Sequence, residues 1–100
     1  MTYGYTTLFR RSYANLAEQE QERIDTAIKK FCKRPRYPFP KGLRVHKLDG
    51  VYGTRMKQDT KTPPVWEMHA TEELLITFQR SMDAILFRNC GHHKAVLQSP

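Results

Sequence analysis

Residues Val65–Leu97, VWEMHATEELLITFQRSMDAILFRNCGHHKAVL, decide the fold of this chain. They contain three apolar runs of four to six residues, VWEMHA, LLITF and AILF, which are separated only by the short segments TEE and QRSMD. Apolar runs at this spacing are typical of antiparallel strands that hairpins connect. The pattern predicts a β-meander, and it places His69, His92 and His93 at strand ends, where the sheet holds a side chain that still reaches water.

The composition is that of one small basic domain. A chain of 100 residues with 39% apolar content can bury one core, so we expect a single domain over residues 1–100. Seventeen Lys and Arg residues against ten Asp and Glu residues give a formal net charge of +7. This excess favours a polyanion such as nucleic acid, or an acidic protein, as the partner, and charge alone does not choose between them.

No segment of the sequence predicts secretion or membrane insertion. The opening MTYGYTTLF is too short and too polar for a signal peptide, and no apolar run approaches the roughly 20 residues that span a bilayer. Cys32 and Cys90 lie far apart in unlike contexts, which favours two free thiols over a disulfide. We therefore expect a soluble, cytoplasmic protein with no membrane partner.

The first third of the chain is predicted to be a strand followed by helices. Residues Tyr5–Phe9 are rich in Tyr, Thr and Phe, which favours a strand at the edge of the sheet. Over Arg10–Lys33 apolar residues recur at intervals of three and four, the spacing of one helical face. We expect a short helix, a bend at Asn15–Ala17 and a longer second helix, with one bent helix as the alternative.

The middle of the chain returns from the helices to the sheet. Arg34–Gly42 contains three prolines and is a linker that cannot continue the helix. Leu43–Leu48 alternates apolar and polar residues, which predicts a half-buried strand with His46 on its polar side. Asp49–Pro64, with two glycines and two prolines, predicts a turn, a short extended piece and a loop. The whole predicts an α+β fold: two N-terminal helices packed on a curved antiparallel β-sheet, with a last helical turn at HHKAVL.

Three segments, in this order, resemble the RelE/ParE superfamily of bacterial toxins from type II toxin–antitoxin pairs. They are KGLRVHKLDG, WEMHATEELLITFQ and AILFRNCGHHKAVL, and with the preceding strand and helices they cover nearly the whole chain. The similarity is closest to the YafQ-like mRNA interferases, whose pattern has one His before a Pro or Lys, a second His shortly before an acidic residue, and a third in a Gly-x-His turn. The matching residues here are His46, His69 with Glu73, and His93 after Gly91.

The resemblance implies a ribosome-dependent endoribonuclease that cleaves mRNA in the bacterial cytoplasm and that a cognate antitoxin inhibits. In such a reaction a ribose 2′-hydroxyl attacks the adjacent phosphate, so one group accepts a proton and another protonates the leaving 5′-oxygen. Histidine can fill either role near neutral pH, and neither metal nor cofactor is required. By this likeness His69 is the general base with Glu73 orienting it, His93 is the general acid, and His46 binds phosphate or shares the base role.

The sequence departs from the family pattern at four places. The segment Thr54–Pro64 is longer than the short hairpin usual there, and Glu73 stands where the family has Asp. Leu75 occupies the place of an arginine in RelE proper, so the arginine-based chemistry of that branch does not carry over. Leu97 stands where the YafQ branch has an aromatic residue, so base stacking is not expected there.

Two other functions are open on the same fold, a ParE-like inhibitor of DNA gyrase and a non-toxic nucleic-acid-binding relic. Neither needs several titratable side chains at these spacings, which is why the histidines favour the nuclease. Cys90, His92 and His93 lack a second pair of ligands at metal-binding spacing, so no metal site is expected. The residues expected to face RNA concentrate after residue 40. They are Lys41, Arg44, Lys47, Arg55, Lys57, Lys61, Arg80, Arg88, His92 and Lys94.

Overall fold

The computed structural model describes all residues, 1–100, as a five-stranded sheet with three helices. The strands are Thr2–Tyr5 (β1), His46–Tyr52 (β2), Pro64–His69 (β3), Leu74–Ser81 (β4) and Ala84–His92 (β5), and the helices are Thr7–Ala14 (α1), Glu18–Lys33 (α2) and His93–Gln98 (α3). The strand order is β1-β5-β4-β3-β2. None of the helices has the length and apolar character that crossing a membrane requires.

The sheet confirms the predicted meander. Strands β2, β3, β4 and β5 are antiparallel neighbours, and the chain ends in the helix predicted at HHKAVL. Strand β1 instead runs parallel to β5, so the sheet is mixed and not wholly antiparallel. A parallel pair needs a long connection, and here the two helices and the rest of the sheet lie between β1 and β5 in the chain.

The first strand lies at the sheet edge as predicted, but its predicted range, Tyr5–Phe9, is wrong. The strand ends at Tyr5, and Thr6 caps the helix that follows: its hydroxyl accepts the backbone N–H of Phe9 at 3.0 Å. The same hydroxyl donates to the carbonyl of Arg88 at 2.6 Å and so ties the helix start to β5. A threonine before an apolar helical stripe is an N-cap signal, and it outweighs the β-propensity of this segment.

Helices α1 and α2 are separate, with the predicted break at residues 15–17. The second helix begins where the carboxylate of Glu20 accepts the backbone N–H of Ala17 at 2.9 Å. The apolar stripe of the two helices is buried against one face of the sheet, where the ring of Phe31 lies 4.8 Å from that of Phe78. The periodicity thus predicted both the helices and the face they bury.

The strand predicted at Leu43–Leu48 is shifted to His46–Tyr52. Gly42 and Arg44 both have positive φ angles, 90° and 48°, which interrupt an extended backbone. Leu43 is still buried, and its carbonyl accepts the N–H of His69 at 2.7 Å, so this turn is fastened to the end of β3.

The second face of the sheet carries polar residues. His46 pairs with Glu67, Glu67 with Thr77, and Thr77 with Asn89, so the four form one row across β2, β3, β4 and β5. Because side chains alternate along each strand, this row points away from the helix-covered face. We call it the polar row. Glu67, Thr77 and Asn89 are buried, and His46 is exposed at the edge of the sheet.

The cap at Thr6 provides a test of the fold. Replacing Thr6 by Ala removes the α1 cap and the hydrogen bond to β5, and it should lower the free energy of unfolding by about 1–2 kcal/mol. Chemical denaturation measures the change. Thr7→Ala, in the first turn of the same helix, is the matched control and should have a much smaller effect; equal losses in the two variants would show that the cap does not stabilise the fold.

Candidate active site

The outer edge of the sheet brings three titratable side chains together. The Oε2 atom of Glu67 lies 3.0 Å from Nε2 of His46 and 3.4 Å from Nε2 of His69. The register explains the arrangement: His46 is directly opposite Glu67, and His69 is two residues further along β3 on the same face. We call these residues the His–Glu–His cluster.

The three side chains differ in their exposure to solvent. The side chain of Glu67 is only 5% exposed, that of His69 13% and that of His46 52%. A buried carboxylate needs charged or hydrogen-bonding partners, and the two imidazoles supply them. The cluster therefore has a fixed interior end and an accessible end.

Arg44 fixes the tautomer of His69. One guanidinium nitrogen of Arg44 lies 3.3 Å from Nδ1 of His69. Because a guanidinium only donates, Nδ1 must accept, and the proton of the neutral ring lies on Nε2, facing Glu67. In this tautomer the ring N–H of a neutral His69 lies on the nitrogen that is 3.4 Å from the Glu67 carboxylate.

His46 has an acceptor at each ring nitrogen. Its Nδ1 lies 3.0 Å from the carbonyl oxygen of Arg44, and its Nε2 faces Glu67. A carbonyl and a carboxylate both accept hydrogen bonds, so either ring nitrogen of His46 can donate through its N–H. The cluster thus combines a ring whose two nitrogens both face acceptors with a ring whose Nδ1 faces a donor.

Electrostatics keeps His69 uncharged. Burial lowers the pKa of His69 below its ordinary value of 6.5, and the positive charge of Arg44 lowers it further. The carboxylate of Glu67 opposes this shift, and His46 adds to it. Near neutral pH the His69 ring is therefore free to accept a proton.

The C-terminal residues cover the far part of the polar row. The hydroxyl of Thr77 donates to the carbonyl of Pro100 at 2.9 Å, and the side-chain amide of Asn89 donates to the carbonyl of Ser99 at 2.9 Å. Both polar side chains are thereby satisfied inside the protein. The accessible end of the row is at the cluster.

Glu73 does not occupy the position that the sequence predicted for it. It is exposed in the β3–β4 hairpin, four residues beyond His69, and its side chain has no hydrogen bond or ion pair with that ring. It lines a cavity of about 490 Å³ together with Glu20 and His92. The carboxylate at His69 is that of Glu67, because residues two apart on a strand share a face whereas a hairpin turn separates Glu73 from it.

The two C-terminal histidines also lie outside the cluster. His92 ends β5 and its Nε2 lies 2.6 Å from the carboxylate of Glu20 on α2. His93 begins α3, is exposed, and its backbone N–H donates to Glu73. Strand β4 lies between β5 and the strand that carries His69, a backbone separation of about 10 Å for two strand spacings, so His93 is not in contact with the cluster.

Of the cations expected to face RNA, Arg80 and Arg88 are half-buried and the others are exposed. Arg88 is half-buried, donates to Gln79 at 2.7 Å and to Pro100 at 3.1 Å, and burial lowers its pKa, so it joins β5 to the C-terminus. Arg80 is half-buried and lines the largest cavity, about 750 Å³, which lies between β2 and the following loop and excludes the cluster. The exposed ones are Lys41, Arg44, Lys47, Arg55, Lys57, Lys61 and Lys94.

Glu67 was missed by the sequence reasoning, although a signal was present. In the segment WEMH, Glu67 and His69 are two residues apart in a predicted strand and must share a face. An acidic residue on the same face as a candidate base is the carboxylate best placed to orient it. The proximity of Arg44 has no such signal, because it depends on the positive φ angle of that residue.

Neither a protein-family model nor a curated protein matches the sequence. Solved structures do match. A chain of the RelB–RelE antitoxin–toxin complex from Methanococcus jannaschii has a TM-score of 0.66 at 15% identity, with 97% of this chain and 99% of that chain covered. YafQ from E. coli strain BL21(DE3) has a TM-score of 0.66 at 13% identity and 94% coverage of both chains. YoeB, from the dimer of Staphylococcus aureus, has a TM-score of 0.63 at 11% identity, with 93% and 97% covered. These likenesses confirm the fold that the RelE/ParE resemblance implied.

The cysteine beside the C-terminal histidines is inaccessible to solvent. Cys90 is 2% exposed on the helix-covered face, and burial raises its pKa to about 12. At pH 8 only about one thiol in 10⁴ would be ionised at such a pKa. We expect a disulfide exchange reagent to modify Cys90 only after unfolding, with Cys32→Ser as the variant that isolates this thiol; rapid reaction of the folded variant would contradict the buried placement.

Proposed function

We propose that this chain is the toxin of a type II toxin–antitoxin pair and acts in the bacterial cytoplasm as a ribosome-dependent endoribonuclease. The observation that carries the proposal is the His–Glu–His cluster, in which a neutral His69 is backed by a buried carboxylate at the accessible end of the polar row. A fold that served only for binding has no need of this arrangement. The reaction is acid–base catalysis by histidine and requires no metal.

The geometry supports His69 as the general base. Its Nε2–H is held by Glu67, so the lone pair available for a proton is on Nδ1, where Arg44 now donates. When RNA binds, Arg44 turns to the phosphate and neutralises the developing charge, and Nδ1 takes the proton of the 2′-hydroxyl. Glu67 then stabilises the imidazolium, as a carboxylate does behind the histidine of a catalytic triad.

Two residues are candidates for the general acid. His46 has a ring centroid 6.2 Å from that of His69, and both of its ring nitrogens lie near hydrogen-bond acceptors. His93, the residue that the family resemblance indicates, is exposed at the start of α3, which follows β5. A comparison of His46→Ala with His93→Ala assigns the role, because loss of the acid is relieved in a substrate with a better leaving group and loss of a phosphate ligand is not.

The partners follow from charge and from the structural neighbours. The RelE neighbour was solved in an antitoxin–toxin complex, and we propose a cognate antitoxin for this chain as well. The net charge of +7 favours an acidic antitoxin segment over the exposed cations, and the same cations favour the ribosome and mRNA when the antitoxin is absent.

The deciding experiment is brief induction of the chain followed by primer extension on cellular mRNAs. Cuts in phase with codons, together with arrested translation, are the expected result. Intact mRNA with DNA breaks would instead identify the gyrase inhibitor, and intact mRNA and DNA with normal growth would leave only a nucleic-acid-binding role.

Replacement of the base or of its carboxylate should disable cleavage. We expect His69→Ala and Glu67→Gln each to lower the rate of RNA cleavage by roughly 10² or more, the usual effect of losing acid–base assistance. Single-turnover cleavage on programmed ribosomes measures it. The control is Glu72→Gln, the same change of charge at an exposed hairpin residue; cleavage by Glu67→Gln at the rate of this control would remove Glu67 from the mechanism.

The loop after β2 provides a test of the RNA-facing cations. Arg55, Lys57 and Lys61 are exposed in the segment 53–63, whose start is fixed by two hydrogen bonds between Thr54 and Gln79 at 2.9 and 2.6 Å. Replacing the three cations by Ala should weaken ribosome binding and flatten its salt dependence without changing the melting temperature. Ribosome pelleting at several salt concentrations measures this, and an unchanged salt slope would show that the loop does not face RNA.

A further inference from the structure

We infer that the His–Glu–His cluster is a Zn²⁺ site, and that the bound ion inhibits the nuclease. The first half stands on the geometry of His46, Glu67 and His69 alone. The second half rests on the proposed function, since it requires that these residues carry out proton transfer.

The spacing of the ligand atoms fits a tetrahedral ion. One ligand atom from each of the three residues lies within 4.8 Å of the others, and Glu67 Oε2 is 3.0 and 3.4 Å from the two Nε2 atoms. Around Zn²⁺ with bonds of 2.0–2.1 Å, neighbouring ligand atoms are about 3.3 Å apart. Two imidazole nitrogens and one carboxylate oxygen are a common zinc donor set, and the fourth position is left to water.

The surroundings of His46 and Glu67 suit a metal. A ligating histidine normally donates its other ring N–H to a carbonyl or carboxylate, and His46 Nδ1 already lies 3.0 Å from the carbonyl of Arg44. A cation could bridge Nε2 of His46 and Oε2 of Glu67, which are 3.0 Å apart. Because His46 is half-exposed, its ring can move the short distance that closes the coordination shell.

Arg44 opposes the ion and thereby provides a specific test. To ligate through Nε2, His69 must move its proton to Nδ1, the atom that now accepts from the Arg44 guanidinium. The guanidinium must then move away from Nδ1, and while it stays there its positive charge repels a metal ion bound to the cluster. Arg44 is exposed and can swing into solvent, so it weakens the site without blocking it. Neutralising Arg44 should therefore increase zinc affinity, a response that an unrelated surface histidine would not show.

Zinc binding and catalysis are mutually exclusive on these atoms. A His69 ring bound through Nε2 and protonated on Nδ1 has no lone pair for the 2′-hydroxyl proton, and a bound His46 Nε2 carries no proton to give. Binding of the ion should therefore stop RNA cleavage, and removal of the ion should restore it.

The test of the site is Zn²⁺ affinity of the full chain without an affinity tag, measured by competition with a chromophoric chelator. Loss of even an outer-shell partner usually lowers metal affinity by about 10- to 100-fold, so His46→Ala, Glu67→Gln and His69→Ala should each lower it at least 10-fold. Arg44→Gln should raise it. His92→Ala is the matched control, since His92 pairs only with Glu20, and it should leave the affinity unchanged.

Absence of binding, an equal loss in His92→Ala, or unchanged affinity in the three cluster variants would overturn the site. Circular dichroism shows whether each variant is folded. A second measurement avoids mutation: zinc should raise the melting temperature of the native chain by binding only the folded state, and X-ray absorption should show a mixed nitrogen and oxygen shell. No stabilisation, or a sulfur ligand, would contradict the assignment.

The inhibitory half is tested on programmed ribosomes with Zn²⁺ and then a chelator. Reversible loss of cleavage at the concentration that fills the site is expected, and cleavage unchanged or stimulated by bound zinc would overturn inhibition. If the chain binds zinc through the cluster but never cleaves RNA, the proposed function fails while the metal site stands. If it cleaves RNA and binds no zinc, the metal site fails while the proposed function stands.

Discussion

The buried carboxylate of Glu67 is the constraint on which the candidate site depends. A carboxylate that is only 5% exposed is costly to leave unpaired, and the strand register supplies its partners. His46 contacts it from the neighbouring strand β2, and His69 contacts it from two residues further along β3. Side-chain alternation also turns both rings away from the helix-covered core. The site is thus a consequence of the way in which β2 pairs with β3.

The turn before β2 places Arg44 beside both histidines of the cluster. Arg44 has a φ angle of 48°, in the left-handed region that non-glycine residues seldom adopt, and it interacts with both histidines. Its carbonyl lies near His46 Nδ1, and its guanidinium lies near His69 Nδ1. Arg44 therefore presents an acceptor to the ring of His46 and a donor to the ring of His69. This difference is what a pair of proton-transfer groups requires.

Much of this structure could be predicted from the sequence. The meander, the two helices and their break followed from apolar periodicity, which reflects burial directly. The first strand and β2 were misplaced because a cap at Thr6 and positive φ angles at Gly42 and Arg44 are local features that override propensity. The family likeness indicated Glu73, four residues after His69, whereas the two-residue repeat of a strand places Glu67 on the face of His69. The register of β2 against β3, which completes the cluster, has no sequence signal.

The C-terminal residues determine how a substrate can approach. Ser99 and Pro100 use their carbonyls to satisfy Asn89 and Thr77, so the far part of the polar row is already occupied by the chain itself. The row is open at the β2 edge, where His46 is exposed, and the cations of the loop 53–63 lie at the opposite end of β2. An RNA strand lying along this edge would place its phosphate at Arg44 and the cluster. To bring a second phosphate to His93, the RNA would have to cross β3 and β4, since two strand spacings, about 10 Å of backbone, separate β3 from β5.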